Sequence, residues 1–473
     1  MADVLKPDIC IIGGGAGGLA VAAAAVAFGA PTVLIERHRL GGNRLHTGDV
    51  PSQALLAAAK RAAAAGRAGT FGIAASPTVD FARVREHVQA TIASLARMDS
   101  AERYAGLGVQ VIKGYAKFKD RRTVTVGDQY EVCARRFVIA TGSAPALPDI
   151  PGIDTGPYLT NENVFNLGEL PRHLIVLGAG RVGLELAQAF RRLGSAVTVL
   201  DEAEPLVGED AECAATVLDR LEREGIVLRT GVSIARVAHG SGRVSMVIAG
   251  EDAAIEGSHL LVATGRKPTT DGLDLEAAGV RYDASCIITD KKLKTSNGRI
   301  YAIGDVVTGA PPMTQAATYH AGLVIRHALG RQRIRVNNDL VPRVTFTEPE
   351  LAQAGLTEAQ AREHGIKLRI ARWPYHDNDR ARAERETRGH IKVITDRKGS
   401  ILGATIVGVN AGELIAAWAL AIGQGLNIRA FAESVLPYPT LSEIGKSAAI
   451  DFFMPSLTRP LLRRILNRLR LFG

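Results

Sequence analysis

Two glycine-rich stretches of this 473-residue chain have the residue types and spacing that hold a nucleotide pyrophosphate. Both show GxGxxG spacing, the first directly after the apolar segment DICII and the second after HLIVL. Glycine at these positions lets backbone N–H groups and a helix N-terminus approach the phosphates. The glycines are Gly13, Gly15 and Gly18 in the first stretch and Gly178, Gly180 and Gly183 in the second. The sequence therefore predicts two dinucleotide sites.

One acidic residue follows each glycine stretch, at the end of the next apolar segment, where a nucleotide ribose would lie. Glu36 ends the apolar segment PTVLIE, and Asp201 ends AVTVLD. A carboxylate at this place accepts hydrogen bonds from ribose hydroxyls, and Asp201 would repel a 2′-phosphate. We therefore expect the second site to prefer NAD(H) over NADP(H), although Arg191 and Arg192 on the intervening segment weaken that preference.

The elements that must position these residues follow the order strand, glycine loop, helix and strand in both places. Two such units predict an α/β fold with two Rossmann-like dinucleotide-binding domains. The segments FVIATGSAP and LLVATGRKP place Thr141, Gly142 and Gly265 at strand ends, where the chain leaves one nucleotide domain for the other. RIYAIGDVVTG places Asp305 after a strand, where its carboxylate can accept a hydrogen bond from a ribityl hydroxyl. We expect FAD and NAD(H) as the two cofactors.

Composition narrows the class of protein further. The length suggests about three structural units, and 47% hydrophobic with 22% charged residues indicates a globular α/β protein. No apolar run is long enough to span a bilayer and MADVLKPD lacks the zones of a signal peptide, so we expect a cytoplasmic protein. The four cysteines are more than 70 residues apart, which predicts reduced, structural thiols and no metal site. They are Cys10, Cys133, Cys213 and Cys286.

The basic residues do not indicate nucleic-acid binding. The net charge is +9, but five arginines lie in the last fifteen residues, and without them it falls to +4. Aromatic residues do not alternate with the basic ones as base-stacking platforms would. We therefore expect no nucleic-acid partner.

The complete set of motifs resembles the FAD-dependent pyridine nucleotide:disulfide oxidoreductases, the family of dihydrolipoamide dehydrogenase, glutathione reductase and mercuric reductase. The likeness covers practically the whole chain, and VPSQALLAAA, MDSAERYAGLGV and DRARAE look most like the mercuric reductase branch. The motifs that carry it are GGGAGG, ATGSAP, GAGRVGLE, ATGRKP, YAIGDV, MTQAATYHAG, VTFTEPELAQAGLTE, ILGATIVGVNAGELI and YPTLSE.

The resemblance implies an FAD-binding domain built from residues 1–150 and 271–335 and an NAD-binding domain at 151–270. It also implies an α+β dimerisation domain at 336–456, so that YPTLSE, with Tyr438 and Glu443, would reach the flavin of the partner in a homodimer. The positions that match FAD contacts are Gly13, Gly15, Gly18, Glu36, Gly42, Ala116, Thr141, Gly142 and Asp305. Those that match positions near NAD are Gly178, Gly180, Gly183, Glu185, Asp201 and Gly265.

The stretch GGNRLHTGDVPSQ departs from the family pattern, which has two cysteines five residues apart. Arg44 and Asp49 stand at the cysteine positions, and His46 replaces an asparagine. Gln53 replaces the lysine that is the usual partner of Glu185, and Tyr438 replaces the histidine that moves thiol protons. Without a thiolate and its base we expect neither disulfide reduction nor binding of mercuric ion by thiolates.

Arg44 and Asp49 leave three interpretations open. The turn that brings the two cysteines together in the family could bring Arg44 and Asp49 together here. The two side chains would then form an ion pair that replaces the disulfide structurally. They could instead bind the substrate, or Asp49 or His46 could deliver a proton. In each case electrons would have to leave the flavin directly.

The predicted function is therefore an FAD-dependent NAD(P)H oxidoreductase that reduces a small, quinone-like acceptor without a redox disulfide. The alternatives are a catalytically silent FAD- and NAD-binding sensor or partner subunit, and a reductase of a protein electron carrier. Residues 457–473, LTRPLLRRILNRLRLFG, predict a basic amphipathic helix. It would lie on an anionic membrane surface or pack on the partner subunit.

Overall fold

The computed structural model describes residues 2–240, 242–283, 286–457, 467, 469 and 470. The chain forms two compact units. The first comprises the residues up to Glu202 together with Arg229–Asn338, and the second comprises Ala203–Leu228 together with the chain from Asp339 onward. The residue limits of the predicted FAD-binding, NAD-binding and dimerisation domains remain predictions. The predicted helix at 457–473 lies almost wholly outside the described residues.

The first 150 residues contain nine strands and five helices of the described structure. The strands are β1 (Asp3–Leu5), β2 (Ile9–Ile12), β3 (Thr32–Glu36), β4 (Val109–Lys113), β5 (Ala116–Phe118), β6 (Val124–Val126), β7 (Tyr130–Val132), β8 (Arg136–Ile139) and β9 (Ser143–Pro145). The helices are α1 (Ala16–Ala27), α2 (Gly42–His46), α3 (Asp49–Gly66), α4 (Phe81–Ala96) and α5 (Ala101–Gly106).

The remaining elements follow in chain order. The strands of the middle part are β10 (His173–Leu177), β11 (Ala196–Asp201), β12 (Val227–Thr230), β13 (Ile234–Gly240), β14 (Arg243–Ile248), β15 (Ala254–Gly257), β16 (His259–Val262), β17 (Arg266–Pro268) and β18 (Ile300–Ala302). Its helices are α6 (Arg181–Leu193), α7 (Ala211–Arg223) and α8 (Thr314–Ala328). The last part contains β19 (Arg343–Thr345), β20 (Glu350–Gly355), β21 (Leu368–Pro374), β22 (His390–Asp396), β23 (Ile401–Gly408), α9 (Glu358–Glu363), α10 (Asp379–Ala383), α11 (Ala411–Gly423), α12 (Arg429–Glu433) and α13 (Glu443–Leu457).

A parallel sheet carries the first glycine loop. Its order is β18-β8-β2-β3-β4, and every neighbouring pair runs parallel. All four residues of β2 are buried, because apolar side chains cover both faces of such a sheet. Helices α1 and α8 pack against each other, and the core on this side of the sheet includes Leu19 of α1 and Val324 of α8.

The second glycine loop lies on a separate sheet of order β12-β11-β10-β16, in which β10 runs parallel to both β11 and β16. The apolar face of an antiparallel sheet, β13-β14-β15, shares a core with this parallel sheet. The two-stranded antiparallel ribbon of β9 and β17 joins the two nucleotide-binding parts. Both predicted Rossmann-like units are thus present.

The second unit is built on an antiparallel sheet of order β19-β20-β23-β22-β21. Helices α7 and α11 pack on β20 and β23, whereas α13 packs on β21 and β22. Trp418 of α11 stacks on Phe431 of α12 with the ring centroids 3.7 Å apart. This α+β part completes the predicted fold class, which is confirmed.

A buried ionic cluster attaches α7 to this sheet. Lys392 of β22 has a side chain only 4% exposed, and its Nζ lies 2.8 Å from Asp210 Oδ2, 2.8 Å from Glu358 Oε2 and 3.1 Å from Glu212 Oε2. Burial opposes the charge of Lys392, yet hydrogen bonds to these carboxylates hold its pKa above the usual value. Within the described ranges, no helix is both long and apolar enough to span a membrane.

Candidate active site

The first glycine loop is tight at its ends and open in the middle. Gly13 has a φ of +106°, and a Cβ there would lie 2.4 Å from the Ala140 carbonyl oxygen. A Cβ on Gly18 would lie 1.9 Å from the Gly13 oxygen, whereas one on Gly15 would meet no atom within 4 Å. The outer glycines therefore serve the turn and the close helix packing, and the middle one leaves room for a pyrophosphate.

The second glycine loop repeats this arrangement. Gly178 has a φ of +115°, and its Cβ would lie 2.5 Å from the Ala263 oxygen. A Cβ on Gly183 would lie 2.0 Å from the Gly178 oxygen, and one on Gly180 would again meet nothing within 4 Å. Two loops of equal geometry fit two nucleotides.

Each predicted ribose-binding carboxylate faces its own loop. Glu36 Oε2 accepts a 2.6 Å hydrogen bond from the Gly14 backbone N–H, and Oε1 accepts one from His38 at 2.7 Å. Asp201 Oδ2 accepts a 2.6 Å bond from the Ala179 N–H. Both side chains thus lie beside the loop, at the end of the second strand, as ribose recognition requires.

Other positions predicted to contact FAD surround the first loop. Gly42 begins α2 with a φ of +55°, and a Cβ there would lie 2.8 Å from the Gly15 Cα. Ala116 is buried at the start of β5. Thr141 Oγ1 donates to the Thr269 oxygen at 2.6 Å. Gly142 precedes β9 with a φ of +66°. Gly265, which was predicted to lie near NAD, precedes β17 with a φ of +144°.

Asp305 lies in a short 3-10 helix directly after β18. Its Oδ2 accepts a 2.6 Å hydrogen bond from Ser143 Oγ and lies 4.0 Å from Arg266 Nε. The Gly304 N–H next to it donates to Nδ1 of the fully buried His320 at 3.2 Å. Ser143 therefore holds the carboxylate, and His320 holds the backbone next to it.

Arg44 and Asp49 do not form the ion pair that the sequence suggested. Arg44 of α2 pairs with Asp99, and the two side chains are 29% and 11% exposed. Asp49, the exposed first residue of α3, accepts a hydrogen bond from Oγ1 of Thr314, the first residue of α8. The expectation of a direct pair is wrong because each side chain has a partner on a different element.

The other predicted residues beside this turn have separate environments. His46 Nε2 lies 2.8 Å from the Leu40 oxygen, and since a carbonyl only accepts, this nitrogen is the donor. Gln53 is exposed on α3, whereas Glu185 on α6 is buried at 8% exposure. Helices α3 and α6 pack against each other, so both residues belong to one helix pair.

Tyr438 and Glu443 lie in the second unit. Tyr438 is 70% exposed, and its hydroxyl donates a 2.6 Å hydrogen bond to Asp379 Oδ2. Glu443 begins α13, and its Oε2 accepts from the Thr440 N–H at 3.2 Å. Their roles stay predictions.

Comparison with protein families identifies the chain. The model described as pyridine nucleotide-disulphide oxidoreductase matches residues 7–321. This chain belongs to that family. The family's dimerisation domain matches residues 341–449 and supports the predicted homodimer. Members bind FAD and use NAD(P)H, and the predicted FAD and NAD(H) fit the two glycine loops.

The chain is similar to several characterised members of the family. A mercuric reductase of Bacillus cereus is 38% identical over 455 residues, which cover 94% of this chain and 71% of that protein. A mercuric reductase of Streptomyces lividans is also 38% identical over 455 residues, covering 94% and 96%. A dihydrolipoyl dehydrogenase of Staphylococcus aureus is 34% identical over 455 residues, again covering 94% and 96%.

Solved structures of the family have the same fold. The HOCl-induced flavoprotein disulfide reductase RclA of Escherichia coli, as its Cu(II) complex, matches with a TM-score of 0.84 and 28% identity, covering 96% of this chain and all of that one. LpdA of Mycobacterium tuberculosis matches with a TM-score of 0.86 and 27% identity, covering 94% and 99%.

Several residues of the site were not found by reasoning from the sequence. Asp99 and Thr314 are 55 and 265 residues away from the side chains they hold. Arg266 was visible in ATGRKP without an evident role, and Asn161 had no motif around it. Asp99 and Thr314 lie in the stretches MDSAERYAGLGV and MTQAATYHAG, but nothing in the sequence assigned either residue a role. Among the described residues, no group of three His, Cys, Asp or Glu side chains is placed to hold a metal ion.

Proposed function

We propose that this protein is an FAD-dependent NAD(P)H oxidoreductase that reduces a small, quinone-like acceptor without a redox-active disulfide. One observation carries the proposal: Arg44 and Asp49 occupy the cysteine positions of the family, and each is held by its own partner, Asp99 or Thr314. Bound FAD supplies electron transfer between a nicotinamide and an acceptor.

The residues on the nucleotide side have the groups needed to hold NADH. The open Gly180 leaves space for the pyrophosphate at the N-terminus of α6, where backbone N–H groups favour an anion. Asp201 lies at the end of β11 to accept from a ribose hydroxyl and to disfavour a 2′-phosphate. This supports NADH as the preferred donor.

The residues around the family's disulfide position offer polar contacts but no nucleophile. Arg44 is compensated by Asp99, Asp49 is exposed, and Gln53 is exposed and neutral. The four cysteines are unbridged, and burial raises the pKa of Cys10 and Cys213, so that both remain thiols. Acceptors that need no covalent adduct with the protein, such as quinones, oxygen, nitro compounds and dyes, suit this environment.

The test is steady-state NADH oxidation by the FAD-loaded protein with quinones, dyes, oxygen and disulfides as acceptors. We expect turnover with quinones, and about tenfold lower kcat/KM for the acceptor in Arg44→Ala and Asp49→Ala, as for the loss of a charged hydrogen bond. The KM for NADH should not change. Arg97→Ala, an exposed arginine nearby, is the control. Efficient reduction of oxidised lipoamide or glutathione would refute the proposal.

A second candidate is a sensor or partner subunit that binds both nucleotides without turnover. It is favoured by the fact that Arg44 and Asp49 are both engaged by residues of their own chain. Anaerobic addition of NADH to the yellow protein separates the two functions. Bleaching of the flavin band supports the oxidoreductase, and an unchanged spectrum supports the sensor.

We also propose a cytoplasmic protein that can attach to the inner membrane face through residues 457–473. The proposal depends on the sequence pattern alone, since nearly all of this segment lies outside the described residues. Attachment would bring the enzyme to membrane-dissolved quinones. The test is cosedimentation with anionic liposomes with and without residues 457–473. Equal partitioning of both forms would favour packing on the partner subunit.

A further inference from the structure

A chain of polar side chains connects Asp305 with the turn between α2 and α3. Ser143 Oγ donates to Asp305 Oδ2 at 2.6 Å and accepts from Arg266 Nε at 2.7 Å. Arg266 Nη1 donates to Asn161 Oδ1 at 3.1 Å. Asn161 Nδ2 donates to the Thr47 backbone oxygen at 2.8 Å, in the turn itself. All of these residues belong to the first compact unit.

Arg266 occupies the centre of this chain on β17. Its side chain is 19% exposed, and besides the contacts above its Nη2 donates to the Ser143 backbone oxygen. Ser143 lies on β9, the strand that pairs with β17 where the chain crosses between the two nucleotide-binding parts. A planar guanidinium with donors on three sides can hold this crossover and Asn161 at once, which an ammonium group cannot.

Asn161 uses its whole side-chain amide. Its Oδ1 accepts from Arg266, while its Nδ2 donates both to the Thr47 oxygen and to Asn43 Oδ1, the latter at 3.0 Å. Arginine only donates and a backbone carbonyl only accepts, so the partners fix the orientation of the amide. Thr47 Oγ1 also donates to Asn43 Oδ1, at 2.8 Å, which closes the turn locally.

The turn has no covalent closure, since positions 44 and 49 are Arg and Asp. We propose that Asn161 and Arg266 are positioning residues that hold the α2–α3 turn, and with it Arg44 and Asp49, in a fixed place relative to Asp305. Neither residue acts on the acceptor itself. The holding function does not depend on the identity of the acceptor.

The test measures amide hydrogen exchange in peptides covering residues 42–53 of the FAD-loaded protein without acceptor. In Asn161→Ala we expect exchange in the turn to rise about tenfold, the effect of losing one or two net hydrogen bonds. Asn161→Asp keeps an acceptor for Arg266 but lacks both donors, and it should show the same rise. Arg266→Lys should show a smaller rise. Asn166→Ala is the control, because this exposed residue of the same segment has one 3.3 Å contact, with Gln89.

Activity provides the second readout. If the turn is displaced, kcat/KM for the acceptor falls in Asn161→Ala and Asn161→Asp, whereas the KM for NADH and the FAD content stay as in the wild type. Unchanged exchange in both Asn161 variants, or an equal rise in Asn166→Ala, would overturn the inference. Hydrogen exchange is measured without turnover, so it tests the positioning role independently of activity. If the wild-type protein is inactive and exchange still rises in the Asn161 variants, the proposed function is refuted but the positioning role is not.

Discussion

At the scale of single residues, Asp99 compensates the charge of Arg44. The pair is partly buried, so its Coulomb interaction is screened less than that of a surface pair. Asp49 accepts from the neutral hydroxyl of Thr314, and Arg266 acts on it electrostatically from further away. With Asp99 in place, Arg44 therefore adds little attraction for an anionic acceptor.

Asp99→Asn is expected to make the site attract anionic acceptors. Asparagine keeps the size and can accept a hydrogen bond from Arg44, but it removes the compensating charge. At low salt, kcat/KM for ferricyanide relative to a neutral quinone should rise several-fold, and high salt should abolish the gain. Glu102→Gln removes the same charge from an exposed position of α5 and serves as the control. An equal gain in both variants would contradict the local argument.

His320 gives the loop before Asp305 a pH dependence. Its Nδ1 accepts from the Gly304 N–H, so Nε2 is the protonated nitrogen, and it donates to Asn338 Oδ1 at 2.9 Å. Burial lowers the pKa of His320 below the ordinary 6.5. Below pH 6.5 the unfolded chain therefore binds more protons than the folded one, and this residue's contribution to stability is lost as the pH falls.

We expect the free energy of unfolding to decline between pH 7.5 and 5.5 less steeply in His320→Gln than in the wild type. Denaturant titration at both pH values measures the slope. His364→Gln, a change at an exposed histidine, should leave the slope as it is. A slope in His320→Gln equal to that of the wild type would show that the buried ring does not contribute.

At the scale of elements, different glycines of one loop serve helix packing and ligand contact. Gly183→Ala would place a methyl group 2.0 Å from the Gly178 oxygen, so α6 would have to shift, at a cost of about 1–3 kcal/mol. Gly180→Ala meets no atom within 4 Å, and its φ of −76° suits alanine. The first change should lower the melting temperature, whereas the second should leave it unchanged and weaken NADH binding about tenfold or more. Melting curves and NADH titrations of the same samples decide this.

Local spacing made these loops predictable, because strand, glycines, helix and carboxylate lie within about thirty residues of sequence. The partners of Arg44 and Asp49 were not predictable, since Asp99 and Thr314 come near only through tertiary packing. The same holds for α7. Its sequence follows the NAD fingerprint, but Lys392, far along the chain, makes it part of the second unit.

At the scale of the whole molecule, the match to the family's dimerisation domain supports a homodimer. If Tyr438 of one subunit serves the flavin of the other, two defective chains should complement each other. We expect Gly15→Ala, which leaves the fold but crowds the pyrophosphate, and Tyr438→Ala each to lower acceptor reduction. Coexpressed mixed dimers should recover a substantial part of the activity, measured after tandem-tag purification. No recovery would place Tyr438 outside the partner's site.

The segment 203–228 belongs to the same compact unit as the chain from Asp339 onward, which limits how parts of this protein can be exchanged. Its helix α7 buries Cys213, Val217 and Leu221, and Asp210 before it is neutralised by Lys392. In a chimera joined at residue 338, a foreign C-terminal half without this lysine would leave Asp210 buried without its cation. A viable graft therefore has to carry α7 and Asp210 together with the chain from residue 339 onward, as a single exchange.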